Sequence, residues 1–125
     1  MGADTAPLLA LCPSWPVGVH GVALLQAWCS PASQQWLAQS LPTLQVWKAR
    51  QMDLLQSLGW VCLPSEANFF CARPAVDDVP QMLHTLRGHG IKLRDATSFG
   101  LPGHVRLGVL PPAAQDALAG AVSSF

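Results

Sequence analysis

Arg94 and Arg106 are the residues of this chain whose types and spacing best suit joint chemistry. They lie in the stretch Ile91–Val109, IKLRDATSFGLPGHVRLGV. Ile91 and Leu93 alternate with Lys92 and Arg94, and Val105, Leu107 and Val109 alternate with His104, Arg106 and Gly108. A period of two predicts two strands, each with an apolar and a polar face. Both arginines fall on the polar face. The connection Ser98-Phe99-Gly100-Leu101-Pro102-Gly103 has the turn chemistry that closes such a pair. Two fixed guanidinium groups on one surface suit a ligand with two anionic groups, because arginine pairs bidentately with carboxylate and phosphate. The plain alternative is that either arginine pairs with Asp95 or lies solvated on the sheet.

The elements that must position this pair are readable upstream. Pro7, Pro13 and Pro16 predict an irregular lead-in over residues 5–18, without a stable helix. Val19 to Trp28 reads as a buried helix, with Val22, Leu25 and Trp28 on one side, Leu24 beside them and His20 at the core or its boundary. Ser30-Pro31 is a strong helix start. That helix runs toward Leu58 and stops at Gly59. Pro42 should kink it near Ala38 or split it. Leu44, Trp47, Leu54, Leu55 and Leu58 mark its buried stripe, with Lys48, Arg50 and Asp53 on the wet side.

Trp60–Leu63 and Asn68–Arg73 read as strands joined by Pro64-Ser65-Glu66-Ala67. Asp77 or Asp78 should cap a helix ending near Gly88, with Val79, Met82, Leu83 and Leu86 inward and His84 and His89 on the surface. Pro111-Pro112 open a last helix toward Val122. The expected fold class is α+β, a small and mainly antiparallel sheet of about four strands packed against helices. Residues 1–18 are expected to be the irregular lead-in and residues 19–125 one domain.

Composition narrows the function classes. Half of the 125 residues are apolar and 11% are charged, so disorder is not expected. Seven basic residues balance seven acidic ones, and no basic patch suits nucleic acid. No cationic amphipathic face suggests a membrane surface, and no unbroken apolar run is long enough to span one. The first residues lack the pattern of a signal peptide, and Ala6 stands where myristoylation needs Ser or Thr. Cys12, Cys29, Cys62 and Cys71 are far apart, with no Cys-x-x-Cys and no paired His, so neither zinc nor any other metal site is expected. Reduced thiols in a cytoplasmic protein are the expectation. No charged residue occurs between Asp4 and Lys48. A free-standing domain mixes charge over its surface. The span is therefore either surface meant to be covered or a core-rich helix in an Ala- and Leu-heavy chain.

The runs Ile91-Lys92-Leu93-Arg94-Asp95 and Ser98-Phe99-Gly100-Leu101-Pro102-Gly103-His104-Val105-Arg106-Leu107-Gly108-Val109 resemble the C-terminal domain of fold-type I pyridoxal-phosphate enzymes. The resemblance is greatest to the histidinol-phosphate aminotransferase and L-threonine-O-3-phosphate decarboxylase branch. Ser65-Glu66-Ala67-Asn68-Phe69-Phe70 resembles that branch's Ser-x-x-Asn-Phe strand, and Pro13-Ser14-Trp15-Pro16-Val17 its Pro-Trp-x-Val segment, with Gly18 where a Ser is often found. The four motifs occur in the family's order across nearly the whole chain.

The resemblance implies a substrate-recognition domain. Arg106 matches the arginine that grips the substrate α-carboxylate, Arg94 the position that helps bind a side-chain phosphate, and Asn68 a strand residue near the site. It implies pyridoxal 5'-phosphate in the complete enzyme, a phosphorylated amino-acid substrate and a homodimer. The Trp-Pro-Val segment favours the decarboxylase branch, which serves cobalamin biosynthesis. Neither Lys48 nor Lys92 sits in the family's Ser-x-x-Lys context. The chain therefore looks like the last part of such an enzyme, as a fragment or a mis-started gene product without the large domain. Alone it is not expected to catalyse or to bind the cofactor. The competing reading is a non-catalytic module, derived from that domain, that binds a small molecule or a partner.

Overall fold

The computed structural model describes residues 6–13 and 17–123. Ser14-Trp15-Pro16, the centre of the Pro-Trp-x-Val resemblance, lies outside the described residues. The elements are α1 (Ala6–Ala10), α2 (Val19–Trp28), α3 (Pro31–Ser57), β1 (Val61–Cys62), β2 (Phe69–Arg73), α4 (Val79–Gly88), β3 (Arg94–Asp95), a 3-10 turn (Thr97–Phe99), β4 (Val105–Gly108) and α5 (Pro112–Val122). The chain groups into two compact units, Met1–Ser40 and Leu41–Phe125.

The first unit corrects two expectations. A short helix forms at α1 although Pro7 lies in it. Proline is tolerated in a first turn, where its missing N–H has no intrahelical partner anyway. α2 has the expected bounds but buries no residue, and His20 is exposed. Val19, Leu24, Leu25 and Trp28 of this helix are all about half exposed or more. Its apolar residues are spread around the helix rather than gathered in one stripe, so no single packed face can cover them. The α2–α3 corner is tied by polar groups. Ser30 Oγ accepts from the Ser33 N–H at 3.3 Å, Ser33 Oγ donates to the Ala27 carbonyl at 2.8 Å, and Gln34 Nε2 donates to the Trp28 carbonyl at 2.8 Å.

In the second unit the four strands form one antiparallel sheet in the order β1-β2-β4-β3. The alternation expected from the sequence is realised. Phe70 and Ala72 of β2 and Val105 and Leu107 of β4 point inward, and the residues between them point out. The inward face meets Leu55 of α3, Met82, Leu83 and Leu86 of α4 and Leu118 of α5, with Trp60 and Leu93 closing the core. This is the expected α+β layering.

α4 is capped by Asp78, whose carboxylate accepts from the Gln81 N–H at 2.9 Å. α3 remains one helix through Pro42 instead of splitting there. It ends at Ser57, just before Gly59 with φ +81°, and the Trp60 N–H reaches back to the Leu55 carbonyl at 3.0 Å. The strand expected at 91–94 is shorter, since only Arg94 and Asp95 pair with β4. The Ile91 N–H is used instead by the Leu86 carbonyl at the end of α4, at 2.9 Å. Among the described residues, no helix is long and apolar enough to cross a membrane.

Candidate functional site

The site begins with register. Arg94 and Arg106 are directly opposite each other across β3 and β4, and Arg106 is opposite Cys71 of β2. Opposite residues of an antiparallel pair project from the same face. Here it is the face turned away from the core helices of this unit, together with Phe69 and Arg73. Like charges directly opposite destabilise a strand pair unless something offsets them.

No carboxylate does so. Among the described residues the ion pair is Arg50–Asp116 at 2.6 Å, elsewhere in the unit. The alternative in which Asp95 pairs with an arginine is not realised, because its carboxylate accepts from the Thr97 N–H at 2.7 Å. The Thr97 hydroxyl first, and its N–H second, hold the Asp95 carboxyl below its usual range.

Aromatic rings take the place of a counter-charge. The Arg94 guanidinium lies 4.9 Å from the Phe99 ring centre, and that of Arg106 lies 5.1 Å from Phe69 and 5.6 Å from Phe99. These are cation–π distances. Stacking uses the flat face of a guanidinium and leaves its N–H edges available. Among the described residues neither arginine side chain has a hydrogen-bond acceptor. Two oriented, unneutralised donor edges on one open surface can bind carboxylate or phosphate.

Asn68 is not part of this cluster. Its carbonyl accepts from the Val109 N–H at 3.0 Å, extending the β2–β4 ladder, but its exposed side chain lines a different hollow. That hollow, about 440 Å³, is bounded by Leu44, Lys48, Met52, Ser65, Glu66 and Asn68.

Lys48 corrects the reading of a solvated lysine. It is half-buried, and its ammonium donates to the Ser65 carbonyl and, at 2.9 Å, to the Ala67 carbonyl. The Ser65 hydroxyl donates to the Phe69 carbonyl at 2.5 Å and accepts from the Ala67 N–H at 3.1 Å. Lys48 thus fixes the loop that delivers Phe69 to Arg106.

Two buried glutamines hold the other end of β4. Gln51, 3% exposed, donates to the Gly108 carbonyl at 3.1 Å and accepts from the Leu110 N–H at 3.2 Å. Gln115, 2% exposed, donates to the Trp47 and Leu110 carbonyls at 2.9 and 2.7 Å and accepts from Arg50 at 2.7 Å. Sequence reasoning missed both glutamines and the two phenylalanines. A glutamine on a helix reads as a wet position, and a phenylalanine in a turn reads as incidental. Phe69 and Arg106 do have matching positions in the strand alternation, which was an available signal.

The described residues do not assemble a cradle for pyridoxal phosphate. Lys48 already serves two carbonyls, and Lys92 is exposed with no carboxylate beside it. No group of His, Cys, Asp and Glu among them could hold a metal ion.

Comparison with known proteins agrees with this fold. The chain is 28% identical over 98 residues to histidinol-phosphate aminotransferase 2 of Pseudomonas fluorescens (strain Pf0-1), covering 78% of this chain and 26% of that protein. It superposes on the L-threonine-O-3-phosphate decarboxylase of Porphyromonas gingivalis with a TM-score of 0.54 and 25% identity, over 65% of this chain and 27% of that one. It shares the fold of the histidinol-phosphate aminotransferase of Clostridium acetobutylicum, with a TM-score of 0.76 at 19% identity, over 95% of this chain and 36% of that one. The chain therefore spans between about a quarter and a third of the proteins it matches. Residues 13–122, nearly its whole length, match the family described as Aminotransferase class I and II, and the chain belongs to that family.

Proposed function

We propose that this chain is the substrate-recognition part of a pyridoxal-phosphate-dependent enzyme of the histidinol-phosphate aminotransferase or threonine-phosphate decarboxylase kind. In this reading residues 19–125 are the small domain and residues 1–18 lead into it. Arg106 grips the α-carboxylate of the substrate and Arg94 its side-chain phosphate. A planar fork on the carboxylate orients the bond to be broken. The observation that carries the reading is the register-paired arginines, stacked on rings and unneutralised. Family members generally use pyridoxal phosphate. The lysine and cradle for it are assigned to a large domain outside these 125 residues. The complete enzyme is proposed to be a cytoplasmic homodimer, and Asn68 to be a strand residue near its site. The unsuitability of both lysines also favours a second reading, a non-catalytic anion-binding module using the same arginines.

The test needs the complete enzyme, or a relative with residues 13–122 grafted in. Arg106→Lys keeps the charge but loses the fork. It should cost roughly 2 to 4 kcal/mol with phosphorylated and unphosphorylated amino acids alike. That is on the order of 30- to 1000-fold in kcat/KM. Arg94→Ala should impair phosphorylated substrates far more than their unphosphorylated analogues. Equal losses in both variants for both substrate types would reject this division of roles.

A further inference from the structure

Phe99 is a large apolar side chain, 50% exposed, on the open face of the sheet. Half of its surface is out of water, but it is not part of the hydrophobic core. Its place is set by backbone, not by the arginines. Asp95 anchors the Thr97 N–H at 2.7 Å, and the Phe99 N–H bonds the Ala96 carbonyl at 2.9 Å. Ala96 is itself fully buried and tied to the His104 carbonyl at 2.9 Å. Gly100 then turns the chain away with φ +77°, a conformation that suits glycine. The 3-10 turn thus presents a pre-positioned ring.

That ring lies against both guanidiniums, at 4.9 and 5.6 Å, while Phe69 lies against Arg106 alone. Ring and cation therefore alternate along the cluster as Phe69, Arg106, Phe99, Arg94. A ring shared by two cations does two things. Its negative face offsets part of their mutual repulsion, and its plane limits how far apart and at what tilt the two forks can sit. Long side chains lose rotamer freedom when a ligand orders them, and a ring that orders them beforehand removes that cost.

We propose that Phe99 is a specificity-setting positioning residue, which couples Arg94 and Arg106 so that the pair selects ligands with two anionic groups over ligands with one. The proposal rests on the reading of these arginines as the anion-binding pair, and extends it from which residues bind to what sets their preference. A ligand with a single carboxylate or phosphate engages one fork and gains little from the coupling. An amino acid carrying a phosphate on its side chain engages both.

The experiment is equilibrium dialysis of the 125-residue chain, which tolerates self-association. The probes are O-phospho-L-threonine, L-threonine and inorganic phosphate. Wild type should prefer O-phospho-L-threonine. Phe99→Leu should weaken that probe about tenfold, because both guanidinium side chains must then be ordered by the ligand itself. It should leave the single-anion probes within about twofold, and Phe99→Tyr should restore the preference. In an Arg94→Ala background, Phe99→Leu should have little further effect. Far-UV circular dichroism of each variant checks that the sheet is intact. If Arg94→Ala and Arg106→Ala lower binding but Phe99→Leu does not, or lowers all three probes equally, the role of Phe99 is overturned and the arginine assignment stands. If neither arginine variant changes binding, both fall.

Discussion

Gln51 supplies β4 with the hydrogen-bond pattern of a neighbouring strand. Its single carboxamide meets the Gly108 carbonyl and the Leu110 N–H, the pair an adjacent strand residue would otherwise satisfy. Gln51→Leu fits the apolar surroundings but leaves both backbone groups without partners. We expect a loss of about 1 to 3 kcal/mol. For a domain of this size that is a fall in Tm of roughly 4 to 12 °C in a thermal melt. An unchanged Tm would show that water replaces the bridge at no cost. At this scale the sequence revealed charge and alternation, so Arg94 and Arg106 could be placed on one face. It did not reveal Gln51 or Lys48. Their roles come from backbone groups far away in the chain, and a polar residue on a helix gives no sign of which distant carbonyl it will meet.

The elements of the second unit were legible because their patterns are local. Asp77 or Asp78 marks the start of α4, where Asp78 proves to be the cap, and Val79, Met82, Leu83 and Leu86 recur at helical spacing and are all buried. α2 was legible in its bounds but not in its burial, because apolar composition alone does not say whether a partner face exists. β3 was overextended, because alternation over Ile91–Arg94 does not reveal that Ile91 serves α4.

α3 offers a test of an element that tolerates a defect. Pro42 is exposed inside the helix and has no N–H for the Ala38 carbonyl. Its side chain adds little packing to offset that loss. Pro42→Ala should therefore stabilise α3 by about 1 to 3 kcal/mol. The gain should appear as slower amide exchange in the flanking turns. Faster exchange there would mean that the proline is needed for the path of the helix.

At the scale of the whole molecule, apolar surface is unevenly distributed. From Thr5 to Trp47 the chain has no charged residue. Within that span Leu9, Leu11, Val19, Leu24, Leu25, Trp28, Trp36 and Val46 are all about half exposed or more. Large apolar side chains exposed in this number, in a span without charge, suit surface that other protein covers. The isolated chain should therefore self-associate and bind a hydrophobic dye. Replacing Leu24 and Trp28 with glutamine should reduce both. A dye-free monomer by light scattering would count against the expectation. The lack of charge was plain in the sequence, but its two readings could be separated only by knowing which residues are exposed.

The register of β4 has a consequence for how this chain can change in length. β4 pairs with β2 over four positions and with β3 over two. Residues lost or gained between Gly100 and His104 lie outside both ladders and beyond the turn that places Phe99, so that stretch can lengthen or shorten while Arg94 and Arg106 stay opposed. A single residue inserted within β4 is different, since it would exchange Arg106 and Leu107 between the two faces. It would put a guanidinium in the core and a leucine on the anion-binding surface. Insertions and deletions in related chains should thus accumulate between Gly100 and His104 and stop abruptly at Val105.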